Sequence, residues 1–96
     1  MSGGHFDYQQ YRLHDIAMSI DEEIKSNDST ELNEWGNEIG HHFSNETIEK
    51  FEEASFLLKK CEAMVQRIDW LLSGDDGEDS FHRRWQEEVI NVFSEE

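Results

Sequence analysis

The chain contains no proline, so nothing in it forces a helix to break or kink from within. It has a single cysteine, Cys61, which excludes an intrachain disulfide and leaves no pair for a cysteine-based zinc site. Uninterrupted apolar runs reach only two or three residues, far short of the ~20 needed to cross a bilayer as a helix. Basic residues are scarce. Eight Lys and Arg face 23 Asp and Glu, for a formal charge of −15; magnitudes of ~2–8 are usual for a small soluble domain. This balance argues against direct contact with nucleic-acid phosphates and with anionic membranes. It allows a basic protein partner, including one that itself binds nucleic acid. The plain reading of the same acidity is solubility. No signal-peptide pattern opens the chain, so a cytoplasmic location is expected.

What is present is a long helical signal. Ser44 to Gly74 carries apolar residues at heptad spacing: Phe51, Leu58, Val65 and Leu72 at one position, Ala54, Cys61 and Ile68 at the other. Leu57, Met64 and Leu71 widen this seam to the breadth of a packed bundle helix. A narrower stripe of Phe56, Ala63 and Trp70 runs on nearly the opposite side. A helix apolar on two sides needs partners on both. Ser44 is the expected N-cap, with Phe43 and Ile48 as a hydrophobic staple, and Gly74 the expected left-handed terminator. Cys61, in mid-seam, reads as a small buried hydrophobe.

The flanks are more polar. Residues 7–25 read as a first helix, with Phe6, Leu13, Ala17, Ile20 and Ile24 along one side, broadened by Tyr11, Ile16 and Met18, and Asp7 as its N-cap or first-turn residue. Residues 79–93 read as a third, capped by Asp79 or Ser80, with Phe81, Trp85, Val89 and Val92 facing inward and Ile90 and Phe93 broadening that face near the end. Between the first two lies a long acidic loop, 26–43, in which Leu32, Trp35 and Ile39 have the three-and-four spacing of a helical turn. Trp35 is expected to anchor that loop to the bundle. The predicted architecture is one all-α domain, three helices arranged antiparallel around a long central one. A chain of this size buries too little surface alone, and the helix 44–73 exceeds the width of a compact globule, so a homodimer is expected.

Catalytic and metal motifs are weak. Gly74-Asp75-Asp76-Gly77-Glu78-Asp79-Ser80 lacks the spacing of a calcium loop. His41-His42, with Glu38 or Glu46 nearby, lacks the helical pairing of a zinc site. Glu49 and Glu52 match half of the carboxylate pattern of all-α nucleotide pyrophosphatases, but no second half follows on a helix. No nucleophile–base pair or phosphate loop is visible. The expectation is a non-enzyme without cofactor or bound metal. Lys59, Lys60 and Arg67 surround the Phe56–Trp70 stripe, where they suit an acidic segment, most simply the first helix, or alternatively an anion.

Acid is concentrated on the flanks: nine acids against two bases over residues 1–43, six against four over 44–73, and eight against two over 74–96. Asp15 and Glu22 stand seven apart on one helix face, about 10 Å along the axis. Glu23, Asp28, Glu31, Glu34 and Glu38 continue the acid, and Asp75, Asp76, Glu78 and Asp79 form a second cluster. The run Arg67-Ile68-Asp69-Trp70-Leu71-Leu72-Ser73-Gly74-Asp75-Asp76-Gly77-Glu78-Asp79-Ser80-Phe81, and His5-Phe6-Asp7-Tyr8 near the start, resemble small acidic proteins encoded by bacteriophages and prophages. That group includes anti-CRISPR and anti-restriction proteins, some of which imitate DNA with carboxylates. The resemblance implies an inhibitor of a nucleic-acid-binding defence protein, working in the host cytoplasm. The alternative is a homo-oligomeric structural or adaptor protein whose acidity keeps it soluble.

Overall fold

The computed structural model describes residues 6–74 and 77–93. They form an all-α arrangement: α1 (Tyr11–Ser26), α2 (Asn45–Leu72) and α3 (Glu78–Trp85), the last running on into a π-helical turn, Gln86–Ile90. The central helix starts and stops where its sequence demands. Ser44 is extended at φ −68° and ψ 163°, and its hydroxyl accepts from the Thr47 amide, satisfying a donor that the first turn leaves free. Gly74 takes φ +84°, the left-handed conformation that a Cβ disfavours.

α1 begins later than residue 7. Asp7 and Tyr8 hold φ values of 52° and 63°, so 6–10 form turns instead of the first helical turn, and Asp7 is no cap. α3 begins at Glu78 behind an extended Gly77, earlier than an Asp79 or Ser80 cap would allow. The π-turn corrects the inner face of the last helix. Its Asn91 amide donates to Gln86 O at 2.9 Å, five residues back, and the extra residue in the turn shifts the register by one position. Val89 is fully buried, whereas Val92 is 64% exposed. Phe93, one residue further, meets Phe56 edge-on, with ring centroids 5.9 Å apart.

The neighbours of α2 are the main departure from expectation. α1 lies antiparallel to it but packs on its polar flank, beside the seam. Gln10 Nε2 donates to Gln66 Oε1 at 2.6 Å and to Asp69 Oδ2 at 3.1 Å. His14 Nδ1 lies 3.2 Å from Glu62 Oε1. Ser55 Oγ and Lys59 Nζ donate to the two oxygens of Asp21 at 2.6 and 2.7 Å. The C-terminal helix covers the Phe56 stripe, where the buried Arg67 stacks 3.9 Å above the Trp70 ring and reaches Glu88 at 3.6 Å. The heptad seam is left partly open: Ala54 and Cys61 are exposed and Leu72 is 54% exposed, while Phe51, Leu58, Val65 and Ile68 are half-buried. Cys61 is therefore no core residue of the single chain. Among the described residues, Ala17 and Val89 alone are buried hydrophobics.

The region 26–43 is also not what its spacing suggests. Instead of a helical turn it forms a hairpin-like excursion with an isolated antiparallel bridge between Leu32 and Glu38. Its base is locked to the end of α1. Asn27, buried, donates through Nδ2 to Phe43 O at 3.1 Å and accepts from the Phe43 amide at 2.9 Å, while the His42 amide donates to Asn27 O at 2.9 Å.

Candidate partner-binding surface

The hairpin tip is built around Asn33. Its side-chain oxygen accepts from the amides of Trp35 at 2.8 Å and Asn37 at 3.1 Å, an Asx arrangement that imitates a backbone turn. The Asn33 carbonyl accepts from Gly36 at 3.0 Å, and Gly36 sits at φ +82°. The result holds Trp35 outward, 77% exposed, beside a Leu32 that is 64% exposed. Trp35 is thus a presented side chain, not the anchor its burial propensity predicts. The anchoring is done by Asn27 and Gly40, small or polar residues whose role is invisible to hydrophobic patterning.

Every described member of the acidic set is exposed: Asp15, Glu22 and Glu23 on α1, Asp28, Glu31, Glu34 and Glu38 in the hairpin region, and Glu78 and Asp79 at the head of α3. Asp75 and Asp76 lie outside the described residues. The set divides in two. Glu22 and Glu31 line one shallow depression with Lys25 and Ile39, so the acid of α1 runs on into the hairpin around Trp35. Glu78 and Asp79 lie beyond the far end of α2, whose 28 residues extend about 42 Å. Among the described residues no Lys or Arg pairs with any of the set. Glu23 meets His41 at 3.2 Å and Glu38 meets His42 at 2.6 Å. The adjacent histidines thus serve different carboxylates, and no group of three metal-binding side chains converges among the described residues.

Of the cations around the Phe56–Trp70 stripe, Arg67 is buried and Lys59 is half-buried. Lys59 meets Asp21 of α1, the acidic segment expected of it. That contact, with the Ser55 hydroxyl second, holds the Asp21 carboxyl below its ordinary range against a small opposing effect of burial. A groove of about 530 Å³ opens between α1 and the C-terminal helix, with Tyr11, His14, Glu62, Ala63, Trp70 and Phe93 among its walls. No described helix is long and apolar enough to cross a membrane. The fold and surface together define an all-α protein with an acidic hairpin arm. Comparison with protein-family models, with curated proteins and with solved structures found no match to the chain.

Proposed function

We propose that this is a binding protein whose acidic α1–hairpin surface occupies a basic surface of a partner that itself binds nucleic acid, in the manner of a phage-type inhibitor that imitates DNA. It acts in the cytoplasm as a homodimer, by binding and not by catalysis, with no metal or cofactor. The observation that carries this reading is the acid around Trp35, which no Lys or Arg among the described residues pairs. Six exposed carboxylates, Glu22, Glu23, Asp28, Glu31, Glu34 and Glu38, lie in the end of α1 and in the hairpin that holds a tryptophan in the open, and Asp15 extends the acid back along α1. Tryptophan is the residue type most enriched among binding hot spots, and the surrounding charge steers a basic partner toward it.

The test is capture from lysate on the immobilised protein, repeated at rising salt and with competing duplex DNA. The expected partner is a nucleic-acid-binding protein that is lost steeply as salt rises and is displaced by DNA. Capture that is indifferent to both salt and DNA refutes the reading. It would favour instead a homo-oligomeric structural or adaptor protein with a solubilising acidic surface, which the open apolar seam of α2 supports.

A further inference from the structure

The described chain is one helix thick. Its extents are 55 × 35 × 13 Å and its radius of gyration is 17.6 Å, against about 12–13 Å for a compact chain of this length. A stable domain packs two layers around a core, and this one has Ala17 and Val89 as its only described buried hydrophobics. The second layer has to come from elsewhere.

Helix geometry identifies the face it covers. At about 100° per residue, Tyr11 and His14 lie on the flank of α1 that walls the groove, while Leu13, Ile16, Ile20 and Ile24 lie on the other flank. On α2, the groove is lined by Lys59, Ala63, Gln66 and Trp70; the heptad seam lies past α1 on the opposite side. The apolar stripe of α1 and the seam of α2 therefore share one broad face, turned away from the groove. Ile16 is 51% exposed on it, Leu57 42% and Leu72 54%.

We infer that this face, α1 Leu13–Ile24 with α2 Phe51–Leu72, is covered by the same face of a second copy, giving a two-layer bundle with the groove on the outside. The inference rests on the homodimer reading and names its interface. Two strips about 33 and 18 Å long and each about 10 Å wide present roughly 500 Å² per copy in projection, about 1,000 Å² for the pair, the lower end of a specific interface. Charge opposes a second copy least on α2: residues 44–73 hold six acids and four bases, the most nearly neutral third of a chain with net charge −15, while the exposed Asp15, Glu22 and Glu23 of α1 add repulsion at the other edge of the face. Ala54 and Cys61 at the seam allow the closest helix approach.

Sedimentation of the wild type at micromolar concentration, with the rate of Cys61 alkylation measured across a dilution series, tests this. The expected result is twice the 11.4 kDa chain mass, with Cys61 protected at high concentration and reactive on dilution. Ala54→Glu is expected to weaken the dimer about 100-fold or more, because its carboxylate would be buried unpaired. Ala63→Glu, in the groove, is expected to leave it intact. A dimer whose Cys61 reacts at the same rate at every concentration, and which tolerates Ala54→Glu, overturns the named face while sparing the homodimer. A monomeric wild type overturns both. Cys61 protection is read on the wild type, so the test holds even where a substituted chain fails to fold.

Discussion

Replacing Gly40 by alanine tests whether the hairpin is held by close backbone contact. A Cβ at Gly40 would fall 2.6 Å from the Asn27 and Ser29 carbonyl oxygens and 2.7 Å from that of Ser26. All three are backbone atoms at or just past the end of α1, so none yields by rotating a side chain. Moving the strand away to ordinary contact distance strains the paired bonds between Asn27 and Phe43, each worth about 1 kcal/mol. Overpacking costs of this kind run about 1–3 kcal/mol, so Gly40→Ala is expected to undock the hairpin by about 2 kcal/mol. The assay is hydrogen exchange. The amides of Ile39 and His42, which donate to Glu31 O and Asn27 O at 2.9 Å, should exchange about 30-fold faster, as that energy implies, while amides in mid-α2 keep their rates. Gly36 provides the contrast. Nothing lies within 4 Å of a Cβ there and only its φ of +82° matters, so Gly36→Asn, which tolerates that conformation, should change little. Wild-type exchange in Gly40→Ala, or equal damage in both variants, refutes the reasoning.

Three further outcomes are expected. Asp21→Asn removes a carboxylate whose folded pKa is depressed, so its stabilisation is full above the unfolded value of about 3.9 and lost as pH falls through the folded one. Because the pair is about a third exposed, the difference from wild type should be about 0.5–1 kcal/mol at pH 7 and vanish in acid, read by urea unfolding at several pH values. Asp69 is 2% exposed and accepts from the Phe6 amide, Gln10 Nε2 and Ser73 Oγ. Asp69→Ala should therefore cost about 3 kcal/mol by denaturant midpoint, and a cost under about 0.5 kcal/mol would contradict that role. Trp35→Ala should leave thermal stability within about 0.5 kcal/mol yet weaken partner capture by about 2 kcal/mol; a large fall in melting temperature would mean that the ring packs against the fold.

The sequence was most legible where local chemistry decides. The Ser44 cap and the Gly74 stop act within one turn, so the bounds of α2 could be read directly. The hairpin could not, because Leu32, Trp35 and Ile39 have helical spacing and no Asn-Gly or Asp-Gly pair announces a turn. Its shape comes from Asn33 folding back on its own backbone and from Gly40 seated on α1, a contact made across the fold. The packing of α1 was missed for a related reason. Hydrophobic periodicity assigns a neighbour to the apolar seam, but α1 chose Ser55, Lys59, Glu62, Gln66 and Asp69. These polar residues themselves repeat at spacings of four, three, four and three, matching Gln10, His14, Ala17 and Asp21 on α1. That paired polar register was the available signal. The exposed acids on α1 and the hairpin were legible, since carboxylates without nearby bases have few reasons to be buried. That the acid of α3 sits at the other end of the molecule was not, because its place depends on the direction of α2.

The two proposed surfaces are opposed in their chemistry, and salt should separate them. The seam of α2 is apolar and lies on the most nearly neutral third of the chain, so its pairing is driven by burial and resisted by repulsion between two bodies of net charge −15. Raising salt from about 0.01 M to 0.15 M shortens the screening length from about 30 Å to about 8 Å, which removes repulsion between the flanking acids and leaves burial untouched. Self-association is therefore expected to strengthen with salt. The α1–hairpin surface works the other way, because its attraction for a basic partner is the same long-range field and is screened with it. Sedimentation and partner capture over one salt series should show opposite slopes. If self-association weakens with salt, charge pairs and not the apolar seam hold the copies together, and the face assigned to the dimer is wrong.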